Sequence, residues 1–102
     1  MATRTDIRLA AHQKFATYIT RNMRCVLMDE EVSKIHFRVY FQNEPTEYEK
    51  EIVSETAFEI TTAIDHPLEA TSACFVSSEP IRNLKGDGYW IFAIDDELGR
   101  EF

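Results

Sequence analysis

The sequence predicts an α+β fold: a two-layer sandwich in which a four-stranded, mainly antiparallel sheet carries two helices on one face, in the order αββαββ. Three observations carry this expectation. Residues 34–41 alternate strictly, with Ile35, Phe37, Val39 and Phe41 on one side and Lys34, His36, Arg38 and Tyr40 on the other, which is the pattern of a strand with one face in the core. Two segments on either side of that strand repeat their apolar residues at helical spacing. Short runs of β-compatible residues follow each helix, bounded by polar or glycine-containing turns.

The first helix is expected over residues 5–22, capped by Thr5 or Asp6, with Ile7, Ala11, Phe15, Tyr18 and Ile19 forming its apolar stripe. Residues 24–28 are short and apolar, and the polar stretch 29–33 turns the chain, so this segment and 34–41 read as a hairpin. A second helix is expected over residues 46–64. Pro45 suits its entry, Thr46 and Glu49 spell a capping box, and Ile52, Val53, Thr56, Ala57, Ile60, Ala63 and Ile64 share one face. His66 before Pro67 ends it, because the residue preceding a proline is pushed out of the α region. Strands are expected at 68–77 and 89–95, joined by a loop that holds Pro80 and the triplet Gly86, Asp87, Gly88. In this reading Gly86 and Gly88 permit positive φ, and the sheet face away from the helices stays open. The two αββ units show too little residue-by-residue similarity to be a duplication.

The whole chain, residues 1–102, reads as one domain: 102 residues, 44% hydrophobic and 28% charged, is the balance of an ordinary globular protein with a single core. No apolar run reaches the roughly 18–20 residues of a bilayer span, and residues 1–9 lack the apolar heart of a secretory signal, so a soluble cytoplasmic protein is expected. Cys25 and Cys74 have no CxxC partner and each falls in an apolar run, which points to buried free thiols of raised pKa rather than a disulfide, a zinc site or a nucleophile.

The net charge of −7 is unevenly spread. Residues 1–24 hold five bases against Asp6, whereas residues 25–66 hold ten acids against three bases. An acidic total argues against nucleic-acid binding, which needs a phosphate-neutralising surface, even though Lys34, His36, Arg38 and Tyr40 have the basic and aromatic character of sheet-type binders. It suits a basic protein partner. Asp95, Asp96 and Glu97 cluster at a strand end, but consecutive residues point in different directions, so no metal and no cofactor are expected. His12, His36 and His66 form no ligand or catalytic motif, and the chain has no GxGxxG, Walker or GxSxG element.

One residue escapes the amphipathic pattern of the second helix. Phe58 projects away from the apolar stripe, among Glu47, Glu51, Glu55 and Thr62. With Glu49 and Glu59, these acids make a charged helical surface, and an aromatic residue inside a polar rim is the usual form of an interface anchor. Glu47, Glu51, Glu55, Phe58 and Thr62 are therefore the expected partner-binding residues. In size and charge alone the chain resembles the loose class of small acidic α+β proteins that includes immunity proteins, antitoxins and secretion chaperones. The reading is a non-catalytic acidic binding module of inhibitor, immunity, antitoxin or chaperone type. Two alternatives stand beside it: a homodimer or other self-assembly using an edge strand and the open sheet face, with Leu9 also off its helix's stripe, and a small metal-assisted enzyme built on the Asp95–Glu97 cluster and His36.

Overall fold

The computed structural model describes residues 4–64 and 68–94. Its elements run α1 (Arg4–Tyr18), β1 (Met23–Glu30), β2 (Lys34–Phe41), α2 (Glu47–Ala63), β3 (Glu69–Val76), a short 3-10 helix at Ile81–Asn83, and β4 (Tyr89–Ala93). The αββαββ order stands. The four strands form one sheet in the order β3-β2-β1-β4. β1 pairs antiparallel with β2 and with β4, whereas β2 pairs parallel with β3. The parallel pair follows from the connection: α2 carries the chain from the end of β2 back to the start of the neighbouring strand, as a crossover helix does.

Both helices pack on the same sheet face. Ala11 and Phe15 of α1 and Val53, Ala57 and Ile60 of α2 join Val26, Met28, Ile35, Phe37, Val39, Phe41 and Ile91 in one buried cluster. Phe15 and Phe37 meet with ring centroids 5.0 Å apart. Each large aliphatic or aromatic side chain so enclosed contributes about 1.5–3 kcal/mol of transfer free energy, which is why the alternation of β2 and the stripe of α2 decide the fold.

Helix α1 stops at Tyr18, about a turn earlier than the apolar spacing implies. The residues beyond it are drawn to another element: Thr20 Oγ1 donates to Glu49 Oε2 at 2.6 Å, and Asn22 bonds the Asn43 backbone through both its amide groups. These contacts compete with helical continuation and tie the β1 entrance to the start of α2.

The sheet face away from the helices is not open along its full width. β3 and β4 lie at opposite edges, so the chain between them must cross the sheet, and the helices occupy the other face. Residues 77–88 make that crossing as a strap. Ile81 and Leu84 bury themselves against Cys25 and Leu27, with Tyr40, Trp90 and Ala93 at the margin. Two arginines hold the strap in place. Arg24 donates to the carbonyls of Ser77 and Glu79, and Arg38 donates to those of Leu84 and Lys85, both at 2.8 Å. Arg38 also forks onto Asp29 at 2.8 and 3.0 Å. Burial works against its charge, yet the bonds to Asp29 and Tyr40 raise its pKa above the ordinary guanidinium value. Arg38 and Tyr40, expected on a wet face, are thus half-buried.

The strap also separates the roles of two glycines expected to share one. Gly86 adopts positive φ, at 54°. Gly88 does not; it is required by close approach, because a Cβ there would stand 2.5 Å from Arg38 Nη2 and 3.1 Å from Asp29 Oδ1. Asp95, Asp96, Glu97, His66 and Pro67 lie outside the described residues.

Candidate functional site: the outward ridge of α2

The N-terminus of α2 is fixed before any partner arrives. Thr46 caps the helix: its side chain accepts from the Glu49 amide at 3.1 Å, while Glu49 Oε1 accepts from the Thr46 amide at 3.0 Å. Asn22 Nδ2 adds a bond to the same carboxylate oxygen at 3.3 Å. Glu49 is consequently 8% exposed, and it is no part of the acidic surface that the sequence pattern assigns to it. Burial pushes its pKa up, but the bonds from Thr20, Thr46 and Asn22 together outweigh that and hold the carboxyl below the usual range.

From this anchored start the helix turns its aliphatic stripe, Ile52, Val53, Ala57 and Ile60, to the sheet. The opposite side is a straight ridge. At about 100° per residue, positions 48, 51, 55, 58 and 62 fall within a stripe of roughly 80°, so Tyr48, Glu51, Glu55, Phe58 and Thr62 stand in line along the axis. Tyr48, Glu51, Glu55, Phe58 and Thr62 are all exposed. Phe58 is 67% exposed and Tyr48 69%, which places two large aromatic surfaces ten positions apart, about 15 Å along the helix, with two carboxylates between them. Glu47 flanks the ridge and pairs with Lys50 at 3.4 Å, an exposed contact of small energetic weight. Glu51 and Glu55 make no ion pair among the described residues. Thr62 donates to the Glu59 carbonyl.

The structure therefore brings Glu47, Glu51, Glu55, Phe58 and Thr62 onto one surface, removes Glu49 from it, and adds Tyr48. The signal for Tyr48 is present in the sequence, since its spacing to Glu51, Glu55, Phe58 and Thr62 repeats three and four residues. Beside the ridge, Glu47, Lys50, Glu51 and Ser54 line a shallow open depression rather than an enclosed cavity.

The described thiols and histidines, Cys25, Cys74, His12 and His36, are spread over separate elements. Cys25 is buried, and burial pushes the Cys74 thiol up, away from the thiolate that a nucleophile needs. His12 Nε2 lies 3.0 Å from Tyr89 Oη, and His36 Nδ1 lies 2.7 Å from Thr71 Oγ1. Arg8 forks onto Glu30 at 3.1 and 2.7 Å and lies over the Tyr89 ring at 4.0 Å, which fastens α1 to the sheet. Among the described residues, no group of three or more His, Cys, Asp or Glu converges to hold a metal, and no helix is long and apolar enough to cross a membrane.

What these residues assemble is a small α+β domain whose outward helix face carries exposed aromatic and acidic side chains. A family model described as MafI2 immunity protein matches residues 4–94, and the chain belongs to that family. No curated protein matches the chain. Among solved structures, a chain in that of a tri-AMPylated Shewanella oneidensis HEPN toxin in complex with MNT antitoxin is 14% identical, with a TM-score of 0.48, over 89% of this chain and 78% of that one.

Proposed function

We propose that this protein is a non-catalytic immunity protein that neutralises a toxin by binding it through the outward ridge of α2. Family membership supports the immunity role. The observation that carries the choice of surface is the pair of exposed aromatic residues, Tyr48 and Phe58, in line with Glu51 and Glu55. Aromatic side chains supply large contact area at low entropic cost, and they are enriched among the few residues that dominate binding energy. The carboxylates between them select a partner with a basic surface and speed its approach, while contributing less to residence time. A rigid presentation helps. The capping box and the Thr20 and Asn22 bonds order the first turn of α2 in the free protein, which lowers the ordering cost that association would carry. In this reading the protein acts in the cytoplasm, where the toxin would otherwise act, and it uses no metal or cofactor.

Co-expression with the cognate toxin tests this reading. The wild-type chain restores growth, whereas Phe58→Asp at equal soluble abundance restores little or none. Equal protection by the two forms would remove the ridge from the account while leaving the immunity role intact.

A further inference from the structure

The two edges of the sheet end it in different ways. β4 is five residues long, and its register against β1 shifts between Val26 and Leu27. β3 runs eight residues against β2 with no shift. Within Glu69–Val76 there is no lysine, arginine, proline or bulge of the kind that blunts an exposed edge, and a single charge, Glu69, stands at the first position. Near its far end Phe75 is 41% exposed and Val76 50%.

The direction of its free backbone groups follows from two hydrogen bonds. Glu69 N donates to Ser33 O and Ser77 N donates to Phe41 O, so the odd-numbered residues of β3 bond inward to β2. The N–H and C=O groups of Ala70, Ser72, Cys74 and Val76 therefore point out of the sheet.

We infer that β3 pairs antiparallel with β3 of a second copy of this chain, about a two-fold axis at Ala73, joining the two sheets into one. This register matches every outward group with another. Ala70 exchanges hydrogen bonds with Val76 of the second copy and Ser72 with Cys74, while Ala73 sits opposite itself, where its small side chain suits the close approach of a non-hydrogen-bonded pair. Side chains agree with the backbone. Phe75, whose ring stacks on Tyr40 with centroids 5.1 Å apart, comes to lie beside Thr71 of the second copy, an aromatic against a β-branched residue. Glu69 faces Ser77, so no like charges oppose one another, whereas a parallel arrangement would set Glu69 against Glu69. The occupant is thus argued from self-complementarity: a strand that satisfies its own edge in hydrogen bonds, shape and charge fits an isologous two-fold contact. The ridge of α2 lies on the side of the helix away from the sheet, so the paired backbone edges make no use of its side chains.

Sedimentation equilibrium on the purified full chain tests this, with three variants. Wild type is expected to sediment as a dimer. Ala73→Glu, which places like charges on the axis, is expected to weaken dimerisation at least ten-fold. Ser72→Pro removes an outward amide without taking a bond from the β2 ladder, and is expected to do the same with its circular dichroism unchanged. Ala73→Cys places two thiols at a site where α-carbons lie about 4.5 Å apart, within disulfide reach. Mild oxidation is expected to trap that variant as a covalent dimer, and wild type, with Cys74 opposite Ser72, to yield none. A wild-type monomer at the highest concentration reached overturns the proposal, as does a dimer that survives both Ala73→Glu and Ser72→Pro, or an Ala73→Cys variant that oxidation leaves uncrosslinked. Toxin binding by a monomer would leave the proposed function standing, so the two failures are distinguishable.

Discussion

The first turn of α2 and the ridge that runs along its outer side are built from the same residue type and put it to opposite use. Glu49 is enclosed, accepts from Thr20, Asn22 and Thr46, and has its pKa lowered by those bonds. Glu51 and Glu55, within two turns of it, face solvent beside Tyr48 and Phe58. A count of carboxylates along the helix treats them alike. Their partners separate them: one acid is committed to the fold, and the others stay in solvent, where the proposed function puts them to use. The same division applies among the bases, where Arg38 is committed to Asp29 and the strap while Lys34, on the same strand, stays exposed.

The largest effect expected from this division is on binding. Phe58→Asp should weaken toxin affinity by about 2 kcal/mol or more, roughly thirty-fold, in a calorimetric titration. Its unfolding free energy should move by no more than about 0.5 kcal/mol, since the ring is mostly in solvent. On the committed side, Arg38→Ala should lose about 2 kcal/mol in denaturant unfolding, because the Leu84 and Lys85 carbonyls and Asp29 are left without their donor, and toxin affinity should stay unchanged. Glu49→Ala should lose about 1 kcal/mol by breaking the capping box, again without an effect on affinity.

The sign of the pH dependence sharpens the contrast. The Glu49 pKa is lowered in the folded state, so its contribution is fully present above the ordinary carboxylate pKa and is lost as pH falls through the lowered value. Stability curves of wild type and Glu49→Gln should therefore lie apart at neutral pH and converge in acid. The smallest effect belongs to the outward acids. Glu51→Gln and Glu55→Gln should each change affinity by about 0.5 kcal/mol, chiefly through the association rate, and the change should shrink as salt is added.

Much of the fold is legible because short-range patterns specify it. The alternation of Ile35, Phe37, Val39 and Phe41 defines β2 and its core face, and the Thr46 and Glu49 pair marks the start of α2, with both groups in place in the structure. The outward position of Phe58 is also readable, since helical geometry alone sets it. Strand order is not. It depends on which distant segments pair, and the placement of β3 and β4 at opposite edges has no local signature. From that one fact follow the strap, the covering of Arg38 and Tyr40, and the distinct need for Gly88. Alternation tells which face a side chain takes, not what later chain crosses that face. Glu49 escapes a reading of the helix alone for a related reason: its partners Thr20 and Asn22 come from the segment after α1, more than twenty residues away.

The central claim is that Tyr48 and Phe58 meet the toxin, and side-chain footprinting reads it at the two rings themselves. Exposed to hydroxyl radicals, both should oxidise readily in the free protein and be protected together in the toxin complex, while Val32, exposed on the β1–β2 turn, oxidises equally in both. Undiminished oxidation of Tyr48 and Phe58 in a saturated complex, with protection appearing elsewhere, would contradict the assignment of the ridge.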